Sequence, residues 1–131
     1  MSQENVELTH RFLDAFNRQH LAAVLALMDD DVKSDSVLVA IEGGYHGHDG
    51  IRRLWEDVHN AIPDLIIEAV EVRDLGDLTV ANVRLRGHGA GSDVPLDQTL
   101  WYVGRWRHGK CVWWGDFRSE AEALEAVELS E

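Results

Sequence analysis

Along the first half of the chain, apolar positions recur every three or four residues. Val6, Leu8, Phe12–Leu13 and Ala15–Phe16 predict an amphipathic helix over about residues 3–18. Ser2, Glu4 and Glu7 suit its N-terminus, where acids favour the helix dipole. A second, nearly all-apolar helix is predicted over Leu21–Met28, with a turn at Asp29–Asp31, since three acids are poor neighbours for a helix C-terminus. Val32–Ile41 is rich in β-branched residues and predicts an extended segment. Gly43, Gly44 and Gly47 mark a loop. After Asp49, the spacing of Ile51, Leu54–Trp55, Val58 and Ile62 predicts a third helix that Pro63 stops.

The second half changes to a period of two. Leu65–Leu75 and Leu78–His88 predict a hairpin turning at Gly76-Asp77. Gly89–Pro95 is a flexible connection. Leu96–Arg107 and Lys110–Arg118 predict a second hairpin about His108-Gly109, and Glu120–Leu129 returns to helical spacing. Helices followed by a meander of long strands indicate an α+β fold, with about three N-terminal helices covering a curved antiparallel sheet. Such a sheet can enclose a cone with a concave, mostly apolar cavity. With no repeat or linker, residues 1–131 read as a single domain.

Composition narrows the function classes. The 131 residues carry 24 acids and 12 Lys or Arg, a net charge of −12, which argues against nucleic-acid partners. The polar, acidic start and the shortness of every apolar run argue against a secretory signal and a membrane span, and indicate a cytoplasmic protein. Charge is unevenly placed. Leu78–Arg118 holds six bases and three acids, a balance of +3, which leaves −15 on the rest.

Several familiar chemistries find no support. His46-x-His48 has no third ligand at helix or strand spacing, so no metal is expected. Cys111, the single cysteine, lies among strand hydrophobes and reads as a small apolar residue. Gly87-x-Gly89-x-Gly91 does not stand between a strand and a helix, and there is no G-x-S-x-G elbow. Carboxylates remain. Asp35 lies in the extended segment and Asp116 lies mid-strand, where aspartate is disfavoured. Each reads either as an exposed or ion-paired acid, or as a partly buried acid doing acid–base work.

Strand alternation groups Trp114 with Asp116, Trp113 with Phe117, Leu100 with Tyr102, and Val80 with Asn82 and Arg84. Periodicity does not say which set faces a cavity. Both sheet faces carry large aromatics, so the face away from the helices is expected to meet a second copy, giving a homodimer through the sheet.

The chain as a whole resembles the nuclear transport factor 2-like superfamily, in its SnoaL-like polyketide cyclase and ketosteroid isomerase-like branch. The resemblance rests on Phe12-Leu-Asp-Ala-Phe16-Asn17, Leu27-Met-Asp-Asp-Asp-Val32, Tyr45-His-Gly-His-Asp-Gly-Ile51, Trp106-Arg-His-Gly-Lys-Cys-Val112 and the terminal helix Glu120–Val127. It implies a cone-shaped sheet and no cofactor. It also implies a pocket lined by Val80, Asn82, Arg84, Gln98, Leu100, Tyr102, Trp114 and Asp116, with Phe12, Phe16 and Trp55 closing over them. Asp35 falls where the isomerases keep a proton-shuttling aspartate. Asp116, in Trp114-Gly-Asp116-Phe117, falls where similar epoxide hydrolases keep a catalytic one.

The match is incomplete. Phe12 stands where the isomerases have an oxyanion-donating tyrosine, and Tyr102 falls near their second oxyanion acid. The epoxide hydrolases flank an arginine with two aspartates, and Arg84 with Asp116 supplies only two of the three. The resemblance thus implies an isomerase-, cyclase- or hydrolase-like enzyme on a small hydrophobic carbonyl or epoxide compound, with Asp35 or Asp116 as base and Arg84 or Tyr102 polarising an oxygen. A non-catalytic ligand-binding protein and a dimerisation module of the same fold are the alternatives.

Overall fold

The computed structural model describes residues 2–35 and 44–129. Among these described residues four helices are present: α1 (Ser2–Asn17), α2 (Leu21–Ala26), α3 (Gly47–Ala61) and α4 (Glu120–Leu129). Six strands accompany them: β1 (Met28–Asp35), β2 (Tyr45–His46), β3 (Ile66–Leu75), β4 (Leu78–His88), β5 (Pro95–Arg107) and β6 (Lys110–Phe117). They form one open, curved sheet in the order β2-β1-β6-β5-β4-β3. The order makes β3 to β6 a meander, with β1 joined parallel to β6 and antiparallel to the short β2. Among the described residues, no helix is long and apolar enough to cross a membrane.

The predicted elements fall close to the observed ones, with one shift of consequence. Extended structure begins at Met28 rather than Val32, so Asp29–Asp31 lie in β1 instead of a turn. Only Met28, Val32 and Ser34 of that strand are buried, which leaves the three acids in contact with water and lifts the penalty that propensity assigns them. The rest of the predicted extended segment, residues 36–41, and Gly43 lie outside the described residues.

One face of the sheet packs on α1, α2 and α3. Helical spacing sends Leu8, Phe12, Leu13, Ala15 and Phe16 of α1 into this core, where they meet Ala81, Val83 and Leu85 of β4 and Leu100 and Trp106 of β5. A directed chain of hydrogen bonds crosses the interface. The Trp106 indole N–H donates to Thr79 Oγ1 at 3.0 Å, Thr79 meets Thr9 at 3.2 Å, and Thr9 donates to the Asn5 carbonyl at 2.9 Å. At the end of α1 the Asn17 amide grips edge strand β3, donating to the Ile67 carbonyl and accepting from the Ile67 N–H. One side chain thereby satisfies backbone groups that an edge strand otherwise exposes.

The opposite face carries a second, smaller core. Ala123 and Val127 of α4 close over Leu78, Val80 and Val103, with Trp101, Trp113 and Phe117 half-buried at its margin. The terminal helix therefore covers part of the face that the sequence leaves for a partner.

Candidate functional site

Between the helices and the inner face of the sheet lies a cavity of about 60 Å³. The helix side is apolar: Phe12 and Phe16 from α1, Val24 from α2, and Ile51, Leu54, Trp55 and Val58 from α3. The sheet side brings Met28 and Ser34 from β1, Ile67 from β3, Tyr102 from β5, and Trp114 and Asp116 from β6, with Leu65 beside them.

Three polar groups thus enter an apolar space, all from neighbouring strands. Asp116 is 7% exposed, Tyr102 4% and Ser34 2%. Antiparallel register sets Tyr102 directly opposite Asp116, so both side chains leave the same face of the sheet. Burial first, and the nearby Asp116 carboxylate second, push the Tyr102 hydroxyl well above the usual phenol range. It is therefore held as a neutral O–H donor throughout the physiological range.

Aromatic packing fixes these groups. The Trp114 ring lies 4.5 Å from Phe12 and meets Tyr102 edge-on at 5.2 Å, centroid to centroid. Gly104 makes room for it, since a Cβ there would come within 3.0 Å of the Trp114 ring and 2.9 Å of the Trp106 indole nitrogen. On the helix side Phe16 meets Trp55 edge-on at 5.3 Å. His59 stacks against Phe16 and donates from Nδ1 to the Trp55 carbonyl at 2.9 Å.

The structure brings together Phe12, Phe16, Trp55, Tyr102, Trp114 and Asp116 at the cavity. Other expected members lie elsewhere. Register pairs Ala81, Val83 and Leu85 with Tyr102, Leu100 and Gln98, so the odd-numbered residues of β4 face the helices. Val80, Asn82 and Arg84 consequently point to the opposite face. Val80 joins the core under α4, and Asn82 sits across from Trp101.

Arg84 is exposed and forks onto Asp97 through two bonds of 2.8 and 2.6 Å, which hold the arginine above and the aspartate below their usual ranges. The physical reason for this parity is desolvation, which would penalise Arg84 and Arg86 on the helix-covered face. Leu100 is fully buried in the core behind the cavity. Gln98 shares its face but is not among the residues lining the cavity.

Asp35 is also displaced. Its side chain is exposed on the side of Trp113, whose indole N–H reaches its Oδ2 at 3.4 Å. Ser34, one position earlier, occupies the cavity instead. The signal was present in the sequence: with Val32 inward, alternation turns Ser34 inward and Asp35 outward.

The remaining candidates have structural partners. His48 Nε2 hydrogen-bonds the Met28 carbonyl at 3.0 Å. Burial pushes the Cys111 thiol up to about 12, which leaves it without thiolate character near neutrality. Among the described residues, no group of three His, Cys, Asp or Glu side chains is placed to hold a metal ion.

A family model described as a SnoaL-like domain matches residues 9–114. The chain belongs to the SnoaL-like family.

Solved structures place the SnoaL-like chain among proteins of the same fold. An NTF2-like protein of unknown function from Burkholderia pseudomallei is 22% identical, with a TM-score of 0.80 over 93% of this chain and 95% of that one. A protein with a ketosteroid isomerase-like fold from Catenulispora acidiphila, solved in complex with trimethylamine, is 17% identical, with a TM-score of 0.77 over 91% and 90%. A cystatin-fold protein from Novosphingobium aromaticivorans is 18% identical, with a TM-score of 0.75 over 90% and 99%. At these identities the likeness establishes the fold alone. No curated protein sequence matches the chain significantly.

Proposed function

We propose that this SnoaL-like chain is an isomerase- or cyclase-type enzyme acting on a small hydrophobic carbonyl compound, with Asp116 as general base and Tyr102 as donor to the carbonyl oxygen. The observation that carries the reading is the placement of a buried carboxylate and a buried phenol on one rung of the sheet, inside an apolar cavity.

In the proposed step the C–H bond next to the carbonyl breaks and its proton passes to an Asp116 oxygen. The electron pair moves onto the carbonyl oxygen as an enolate, which the Tyr102 O–H stabilises. A raised Tyr102 pKa suits this role, since the phenol donates without being ionised. Return of the proton at another carbon gives isomerisation, and attack of the enolate on a second carbonyl gives ring closure. On an epoxide the same pair would activate water and stabilise the opening oxygen.

The test is deuterium uptake at the carbon next to the carbonyl of cyclohexenone in heavy water, followed by NMR. Wild type should accelerate uptake, and Asp116→Asn should reduce it by about 10²-fold or more. Equal uptake in the two proteins would remove Asp116 from the chemistry.

A homodimer through the face bearing α4 is proposed alongside. Trp101, Trp113 and Phe117 remain half-buried there. A second copy would cover the rings. Light scattering giving a dimer mass for wild type and a monomer for Trp101→Glu is the expected result. A monomeric wild type excludes the interface.

A further inference from the structure

We infer that the ligand is no larger than a single ring or a short chain, and that its oxygen functions lie along one edge only. The inference rests on reading the cavity as a ligand site and adds to it the size and polarity of what enters.

Size follows from volume and from what bounds it. The cavity measures about 60 Å³. That is under half of the roughly 150 Å³ that holds benzene in an engineered apolar cavity. It is about a fifth of the roughly 300 Å³ at the low end of pockets for drug-sized ligands. Room for a single ring has to come from a side chain giving way, and Leu54 is the one aliphatic residue of the lining that is half-buried rather than buried. A fused-ring system requires displacement of Phe12 or Trp114, which are buried and pack against each other at 4.5 Å with their ring planes tilted by 43°. Gly104 seats the Trp114 ring from behind, so the ring has nowhere to retreat.

Polarity follows from which elements line which side. Ser34, Asp116 and Tyr102 come from β1, β6 and β5, three consecutive strands of the sheet. Of the lining side chains of the helices, Trp55 alone carries a polar atom, its indole N–H, and none carries a hydroxyl, amide or charge. An oxygen turned toward the helices therefore finds at most one donor to replace its hydration. One turned toward the sheet meets two hydroxyls and a carboxylate. Ser34 thereby becomes a second hydroxyl contact beside Tyr102, and it selects ligands whose oxygen reaches both.

The experiment compares dissociation constants by isothermal titration for cyclohexenone, cyclohexene, tetralone and progesterone. Cyclohexenone should bind at least about tenfold more tightly than oxygen-free cyclohexene and than two-ring tetralone, and progesterone should show no saturable binding. Leu54→Ala, with Ile51→Ala as a second enlarging variant, should improve tetralone binding by about tenfold. Ser34→Ala should weaken cyclohexenone about tenfold without altering cyclohexene.

Progesterone binding wild type as tightly as cyclohexenone would overturn the size limit, and equal binding of cyclohexene and cyclohexenone would overturn the polar edge. Neither result touches the Asp116 exchange test, which decides the catalytic reading separately. Absence of binding by all four compounds in every variant overturns both.

Discussion

Tyr102 and Asp116 face each other across β5 and β6, each almost fully buried and each projecting into the same apolar cavity. Neither residue alone distinguishes a site from a core. A buried tyrosine is common, and a buried aspartate can be structural. Their joint placement sets a carboxyl group and a phenol side by side on the wall of one cavity.

This relationship predicts a coupled titration. Replacing Asp116 by Asn removes the carboxylate that raises the Tyr102 pKa, so the phenol should ionise at lower pH than in wild type. It should stay above the usual value of 10.0, because burial is the larger cause and is unchanged. Ultraviolet-monitored pH titration of wild type and Asp116→Asn, each against its Tyr102→Phe counterpart, measures the shift. Tyr102→Phe should itself lower the cyclohexenone exchange rate by about 10²-fold, as removal of one oxyanion donor does elsewhere.

A second prediction concerns pH and stability at the far end of the sheet. His88 Nδ1 meets Asp64 Oδ2 at 2.7 Å, and Asp64 Oδ1 accepts from the His88 backbone N–H at the same distance. Hydrogen bonding to its partner raises the His88 pKa above 6.5 and lowers that of Asp64 below 3.8. The raised histidine contributes stability in full below pH 6.5, and that contribution fades as pH rises through its folded value. The lowered aspartate contributes above 3.8 and loses its contribution as pH falls through its folded value. The Tm difference between wild type and His88→Asn should therefore be largest between these limits and shrink toward alkaline pH. A difference that grows above neutrality would exclude the pair as its origin.

A third prediction tests the hydrogen-bond chain under α1. Thr79 accepts from the Trp106 indole and is paired with Thr9, and both hydroxyl-bearing residues are buried. Thr79→Val keeps the shape and leaves the indole N–H without its acceptor. Stability should fall by about 1–3 kcal/mol. Urea unfolding should show an earlier midpoint with an unchanged slope. Thr79→Ser, which retains the hydroxyl, should recover most of the loss.

Much of this architecture was legible in the residue pattern, because helices and hairpins are written in local spacing. The i, i+4 placement of Leu8, Phe12 and Phe16 specified the buried stripe of α1, and His108-Gly109 specified the turn between β5 and β6. What escaped was the choice of face. A period of two defines two sets of residues without saying which set is inside, and a one-residue slip exchanges them. The family resemblance implies Val80, Asn82 and Arg84 at the cavity, whereas register places Ala81 and Val83 on the helix-covered face instead. At Asp35 the resemblance and the alternation beginning at Val32 point to opposite faces, and the strand follows the alternation, with Ser34 inward. Asp116 and Tyr102 fall on one face because strand register sets them opposite each other, a relationship that alternation within either strand alone does not contain.

The parallel union of β1 with β6 has a consequence for the order in which the molecule is built. Strands β3 to β6 pair with sequence neighbours and can form as successive hairpins. β1 must wait for a strand some eighty residues downstream, as in the pairing of Ser34 with Trp114. Contacts this distant carry the largest loop-closure cost and form late. The cavity, which takes Ser34 from β1 and Asp116 from β6, is therefore complete only once these two strands have paired, whatever part of the sheet has formed before.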